Sequence, residues 1–142
     1  IKREMVEMRR KLYPSNDNTF NLKKSSGGLI DIDFIVSFLF LTNSDLLQKS
    51  KTDRIARSII TLKNCSNLGI DFVLLERNFN FLKQIELNNQ LVFNNKLSKI
   101  PLDELKIIKL SRECGFLSAK LFSDKLTEIT ERIRKYYQQI FN

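Results

Sequence analysis

The sequence lacks histidine and tryptophan altogether and contains only two cysteines. Without histidine it has neither the commonest general base nor the commonest metal ligand, which excludes catalytic triads and HExxH zinc sites. Cys65 and Cys114 lie far apart on predicted helices, so neither a disulfide framework nor a CxxC metal site is indicated. We expect both to be buried free thiols, and we expect no metal site in this chain.

A long hydrophobic run is also missing. The longest, residues 30–41, is shorter than the roughly 20 residues that cross a bilayer, and it includes Asp31 and Asp33. It therefore predicts a buried helix and no membrane segment. No stretch has the order of a secretory signal, so a cytoplasmic location is expected.

The size and composition of the chain indicate one hydrophobic core. Its 142 residues are 42% apolar and include eleven phenylalanines. The sequence does not begin with methionine, and residues 1–12 are already charged and periodic. We expect residues 1–142 to be a single helical accessory domain, a fragment of a larger multidomain protein.

Acidic residues are in the minority, and the net charge of +8 favours anionic partners. The basic residues are densest at Arg9, Arg10, Lys11, Lys23 and Lys24. Charge alone does not choose between nucleotide, nucleic acid and an acidic protein surface, and a solvated basic surface is the simpler interpretation. Most phenylalanines lie on predicted core faces, so nucleic acid is not an expected partner. Arg9 and Lys23 are candidates for contact with an anion.

Helical periodicity begins at the start of the chain. In residues 1–12, spacings of four, three and four place Ile1, Met5, Met8 and Leu12 on one face, which predicts an amphipathic helix buried on that side. The segment that begins at Leu29 has apolar side chains on every side. This pattern predicts a central helix that contacts other elements on all sides.

Four further helices are predicted by periodicity and by capping residues. In the helix predicted from Asp71 to about Val92, Leu87 and Leu91 widen the predicted core stripe. The predicted limits are Thr52 or Asp53 to Gly69, Asp71 to about Val92, Leu102 to Cys114, and a last helix with the seam Phe122, Leu126, Ile129, Ile133, Tyr136 and Ile140. The fold class predicted is all-α, a bundle of about six helices.

Residues 20–28 depart from this pattern. Residues 20–23 alternate as an extended segment does, and they are followed by two serines and by Gly27 and Gly28, which readily adopt positive φ. A short extended arm and a tight Gly-Gly loop are predicted here.

The same region gathers groups that could carry chemistry. Lys23, two glycines, Asp31 and Asp33 surround a helix start, where free backbone N–H groups favour an anion. A purely structural interpretation has Asp31 cap the helix and Asp33 satisfy first-turn amides. Neither GxGxxG nor GxxxxGK[ST] is present, and the two carboxylates are about 200° apart around a helix, so they converge only if its first turn is irregular.

This region resembles the F-D-L-K-x-x-x-G-G-[ILM]-x-D-[IL]-E-F signature of bacterial glutamine synthetase adenylyltransferases. Asn21 stands where that family has Asp, and Asp33 stands where it has Glu, with a reach shorter by one methylene. The positions that agree are Phe20, Leu22, Lys23, Gly27, Gly28, Asp31, Ile32 and Phe34. We call residues 20–34 the signature segment.

The resemblance extends on both sides of the signature segment. Met8-Arg9 resembles the family's M-R, and residues 81–86 resemble its F-L-R-x-[IL]-E helix. Ile100-Pro101 and Ile133-Arg134, with Phe141, also fit. Nearly the whole chain is covered, although only the glycine-and-acid signature is specific.

The resemblance implies the helical domain of a bifunctional enzyme that transfers AMP from ATP to a tyrosine of glutamine synthetase and removes it by phosphorolysis. The parent enzyme would use Mg²⁺ and ATP, whereas this fragment would bind no cofactor and have no catalytic residue. The family's G-[GS]-x-x-D-x-[DE] magnesium motif does not occur here, so the fragment is predicted to be inactive alone. Residues 7–10 and 27–32 resemble the C-terminal, adenylylating half more closely.

The expected partners are a neighbouring nucleotidyltransferase domain, glutamine synthetase and the PII regulatory protein. The signature residues Phe20, Leu22, Lys23, Gly27, Gly28, Asp31, Asp33 and Phe34 are candidates for contact with the catalytic domain. Two alternatives stay open, the helical domain of a PII uridylyltransferase and a regulatory or nucleic-acid-binding helical module. The PII uridylyltransferases share the glycine-and-Asp core but usually lack an acid followed by Phe.

Overall fold

The computed structural model describes residues 1–14, 19–42, 59, 62, 69–94 and 98–142. Within these residues the chain forms helices and no strand, which confirms the all-α prediction. We number the helices α1 to α5 in chain order. Their limits are α1 Lys2–Leu12, α2 Leu29–Thr42, α3 Phe72–Phe93, α4 Glu104–Glu113 and α5 Ala119–Phe141.

About six helices were expected, and the described residues contain five. The helix predicted from Thr52 or Asp53 to Gly69 lies almost wholly outside the described residues. Ile59 and Leu62 are described, and both are fully buried. They belong to the same hydrophobic core as α2 and α5.

Helix α2 is the centre of the bundle, as its uniform apolarity predicts. It packs against α1, α3 and α5. Its buried residues cover most of its circumference. The helix is not enclosed on all sides as predicted, because Asp33 and Leu41 lie on one exposed strip. The buried side chains of α2 are Leu29, Asp31, Ile32, Phe34, Ile35, Val36, Leu39 and Phe40.

Helices α3, α4 and α5 begin at side-chain caps. Asp71, Asp103 and Ser118 each accept a hydrogen bond from the backbone N–H three residues later, at 3.1 Å in all three cases. Helix α5 then buries its predicted seam inside this chain rather than in another subunit. The fully or nearly buried members of that seam are Phe122, Ile129, Ile133 and Ile140.

The predicted buried face of α1 is wrong. Ile1, Met8 and Leu12 are exposed, Met8 by 58%, whereas Arg9 is fully buried. The side of α1 that faces the core carries Met5 and the neighbouring Val6, which pack against it. Arg9 is on this side because it has a buried partner in α2, described below.

Leu87 and Leu91 are a second correction. Both are exposed, by 51% and 70%. The core side of α3 is formed by Leu82 and Ile85, and Leu87 lies two positions beyond Ile85, about 200° around the helix. The core stripe is therefore narrower than predicted.

Cys114 is a free thiol and is partly buried, less than expected. Burial raises its pKa, and the hydrogen bond from the Asn88 amide, 3.4 Å from the sulfur, opposes that shift. Cys65 lies outside the described residues. Among the described helices, none is both long enough and apolar enough to cross a membrane.

Candidate functional site

The signature segment begins with a turn that is organised by Asn21. Its side-chain oxygen accepts hydrogen bonds from the backbone N–H groups of Lys23 and Lys24, at 3.0 and 2.9 Å. The Asn21 backbone N–H donates to Ser25 Oγ at 2.8 Å. Asn21 uses only an acceptor oxygen here, which an aspartate also has, so the departure from the family pattern at this position leaves the turn intact.

The extended arm is held by the chain that precedes α4. Leu22 donates its N–H to the Ser98 carbonyl at 2.7 Å, and Ile100 donates to the Phe20 carbonyl at 2.8 Å. These bonds form a single antiparallel bridge between Asn21 and Lys99. The predicted arm is thus present as one bridge, and Leu22 is fully buried beneath it.

The two glycines lie so close to other backbone atoms of this chain that neither position has room for a side chain. Gly27 has φ +83°, and a Cβ there would lie 2.9 Å from the Thr130 carbonyl carbon and nearer still to its oxygen. A Cβ on Gly28 would lie 2.6 Å from the Leu22 carbonyl oxygen. Both glycines are buried, so the loop packs directly onto α5 and onto its own first residues.

A buried ion pair lies behind the glycines. Arg9 Nε donates to Asp31 Oδ1 at 2.5 Å, and the two residues are only 0% and 1% exposed. The second oxygen, Asp31 Oδ2, accepts the backbone N–H of Gly27 at 2.6 Å. Asp31 therefore connects α1, α2 and the Gly-Gly loop. Its partners are Arg9 and the Gly27 N–H rather than the helix amides that a capping role predicts.

Arg9 also holds the turn itself. Its Nη2 donates to the carbonyls of Lys24 and Ser25, at 2.8 and 3.3 Å. Its guanidinium carbon lies 4.0 Å from the ring centroid of Tyr13, within range of a cation–π contact. The anion that Arg9 contacts in this structure is thus the carboxylate of Asp31.

The two carboxylates of the segment do not converge. Asp31 is buried, whereas Asp33 is exposed and accepts a hydrogen bond from Ser37 Oγ at 3.2 Å, one turn along α2. The first turn of α2 is regular, so the 200° separation is retained. Over the parts of the chain that the structure describes, no group of three acidic or cysteine side chains gathers as metal ligands do.

Lys23 is an exposed cation of the segment, next to the exposed Lys24, and 48% of its side chain is accessible. Its Nζ lies 3.9 Å from Glu86 Oε2, and Lys83 Nζ lies 3.4 Å from Glu86 Oε1. Glu86 is nearly buried and also accepts a hydrogen bond from Ser98 Oγ at 2.8 Å. The single carboxylate of Glu86 thus pairs with two lysines, so this surface keeps a net positive charge.

The signature residues divide by burial. Lys23 and Asp33 are exposed, and Phe20 is partly buried. The remaining five cannot form a contact surface directly because they are buried within the chain: Leu22, Gly27, Gly28, Asp31 and Phe34.

Several residues that hold the segment were not identified from the sequence. Glu86 falls in the helix motif of residues 81–86, which was a usable signal. Arg134 Nε donates to the Ser26 carbonyl at 3.1 Å across 108 positions of sequence, and Arg134 falls in the Ile133-Arg134 pair that also resembles the family. Ser98 and Thr130 carried no signal of this kind.

Comparison with known proteins places these features in a family. The family model described as GlnD PII-uridylyltransferase matches residues 2–141. The bifunctional glutamine synthetase adenylyltransferase/adenylyl-removing enzyme of Mannheimia succiniciproducens is 42% identical over 48 residues, which are 31% of this chain and 5% of that protein. The chain thus matches only a small part of the length of this relative.

Proposed function

We propose a function from the premise that this chain belongs to the GlnD PII-uridylyltransferase family. It is the helical domain of a bifunctional glutamine synthetase adenylyltransferase, in the C-terminal half that attaches AMP. Its task is to support a neighbouring nucleotidyltransferase domain, which carries the chemistry. The likeness to the Mannheimia enzyme and the acid-then-Phe ending at Asp33-Phe34 favour this assignment.

The proposal rests on which residues of the signature segment are buried and paired and which are exposed. The buried carboxylate behind the surface is paired within the chain, because Asp31 accepts hydrogen bonds from Arg9 and from the Gly27 N–H. Lys23 and Asp33 remain exposed on a braced turn and helix start. A turn and helix start held in this way, with Lys23, Lys24 and Asp33 exposed, fits a contact with another domain.

The residues of the signature segment do not fit a magnesium site. One oxygen of Asp31 accepts from a guanidinium and the other from a backbone N–H, and Asp33 projects elsewhere. Two-metal phosphoryl transfer needs carboxylates that converge on phosphate oxygens. Mg²⁺ and ATP therefore belong to the neighbouring domain, and this chain is inactive alone.

A second candidate is the helical domain of a PII uridylyltransferase, which the description of the matching family favours. The two candidates differ in the nucleotide and protein substrate of the parent polypeptide. Transfer of AMP to glutamine synthetase supports the first, and transfer of UMP to PII supports the second. PII as a regulatory partner is compatible with the first candidate.

The contact role of Lys23 predicts a kinetic effect without a large loss of stability. In the parent polypeptide, Lys23→Ala should lower the rate of AMP transfer by roughly tenfold, about 1.4 kcal/mol of transition-state stabilisation. Its half-exposed pair with Glu86 is worth little by itself, so the free energy of unfolding should fall by less than about 1 kcal/mol. Initial-rate kinetics and urea denaturation measure the two quantities.

Lys109→Ala is the matched control, because Lys109 is an exposed lysine on α4 away from the signature segment. It should leave both quantities unchanged. Unchanged kinetics in the Lys23 variant would contradict the contact, and an equal loss in both variants would indicate a general effect of charge.

A further inference from the structure

A pocket of about 280 Å³ lies between α1 and α5, beside the Gly-Gly loop. On the α1 side the lining positions are spaced by four and three, the last of them just after the helix ends, and on α5 they are spaced by three and one. Each helix therefore lines the pocket with one face. The lining residues are Val6, Arg10, Tyr13, Ser26, Arg134, Tyr137, Gln138 and Asn142. None of the roles described above for the signature contact uses Arg10 or Tyr137.

The pocket is cationic. Arg10 and Arg134 line it from opposite helices, and no acidic side chain is among the lining residues. The nearby charge of Arg9 is already balanced by Asp31. Two guanidinium groups that face a common space repel each other, and an anion between them would relieve that repulsion.

The other polar side chains of the lining are hydroxyls and amides, which can both donate and accept hydrogen bonds. The Ser26 carbonyl accepts from Arg134, and the Gln138 carbonyl accepts from the Asn142 N–H. Tyr13 and Tyr137 add phenol groups, and burial raises the pKa of Tyr137 to about 12, with Tyr13 and Asp31 adding to the shift and Arg9 opposing it. Tyr137 therefore stays neutral and can donate a hydrogen bond at physiological pH.

We propose that this pocket binds an oxyanion of the phosphate class, held between Arg10 and Arg134. Planar guanidinium groups match the geometry of phosphate oxygens and can donate two hydrogen bonds each. The volume exceeds what one phosphate group fills, so the site has room for a phosphate ester with a small organic group, with the Tyr13 and Tyr137 rings as its apolar walls.

Isothermal titration of the 142-residue chain with inorganic phosphate, ribose 5-phosphate and uncharged ribose tests the proposal. We expect saturable binding of a phosphate-bearing probe and none of ribose. Arg10→Gln should weaken that binding at least roughly tenfold, the usual effect of losing a charge-assisted contact. Arg10 is exposed, so its replacement keeps the fold, which the melting temperature checks.

Lys11→Gln is the control, because Lys11 is exposed, adjacent on α1 and outside the pocket lining, and its replacement removes the same charge. It should change the affinity less than twofold. Tighter binding of ribose 5-phosphate than of phosphate assigns an ester, and equal binding assigns the free ion. Equal weakening by both variants, or no saturable binding of either phosphate probe, would overturn the proposal.

Discussion

Replacing Asp31 with alanine is expected to lower the free energy of unfolding by about 3–5 kcal/mol, because it leaves the Arg9 charge buried without its carboxylate. The substitution also removes the acceptor of the Gly27 N–H hydrogen bond. A domain of this size has a total stability of about 5–15 kcal/mol, so this single change removes a large part of it. Urea denaturation followed by circular dichroism measures the effect.

Asp33→Ala is the matched control for that experiment. Asp33 carries the same charge two residues away on the same helix, but it is exposed. Its replacement should change stability by no more than about 0.5 kcal/mol. The double variant Arg9→Met with Asp31→Leu should recover most of the loss, since an apolar pair leaves no buried charge. Equal losses from the two single aspartate variants would contradict the buried pair.

Gly27→Ala is expected to have a comparable effect for a different reason. At φ +83° an alanine costs about 1–2 kcal/mol, and its Cβ would press into the Thr130 backbone, which adds roughly 1–3 kcal/mol. The obstructing atoms include a backbone carbonyl, so no side-chain movement relieves the contact. The total loss of about 2–5 kcal/mol is measured by the same denaturation experiment.

Gly115 separates the two contributions. Its φ is +86°, almost the same as that of Gly27, but a Cβ there would meet nothing within 4 Å. Gly115→Ala should therefore lose only the conformational part, about 1–2 kcal/mol. If both alanine variants lose the same amount, the loop does not pack against α5 as described.

The helices could be predicted from local spacing because their core faces repeat along the sequence. Helix α5 shows this most clearly, since four of its six predicted seam residues are buried and the other two, Leu126 and Tyr136, are partly buried against the core. The central place of α2 was predictable because its sequence is apolar over most of its circumference.

Helix α1 shows where local spacing fails. Its periodicity favoured Met8 and Leu12 as core residues, but the core side carries Arg9. Burying an arginine charge costs a large free energy unless the charge is paired, and the partner of Arg9 is Asp31, 22 residues away. Nothing in residues 1–12 identifies this partner.

The candidate site shows the same limit. The positive φ of Gly27 follows from its place in the sequence, since a Gly-Gly pair before a helix indicates a tight loop. The close approach to Thr130 and the pairing of Lys23 with Glu86 depend on how α3 and α5 pack, which local pattern does not contain. The signature segment could therefore be located from the sequence. Which of its residues are buried, such as Asp31, and which are exposed, such as Lys23 and Asp33, is seen only in the structure.

The central claim is that this braced segment presents its surface to a neighbouring catalytic domain. Hydrogen exchange tests it most directly, by comparing the isolated chain with the parent polypeptide. The amides of residues 23–26 should exchange at least roughly tenfold more slowly in the parent, while those of α4, Glu104–Glu113, should exchange at the same rate in both. Equal rates for residues 23–26 in the two proteins would contradict the claim.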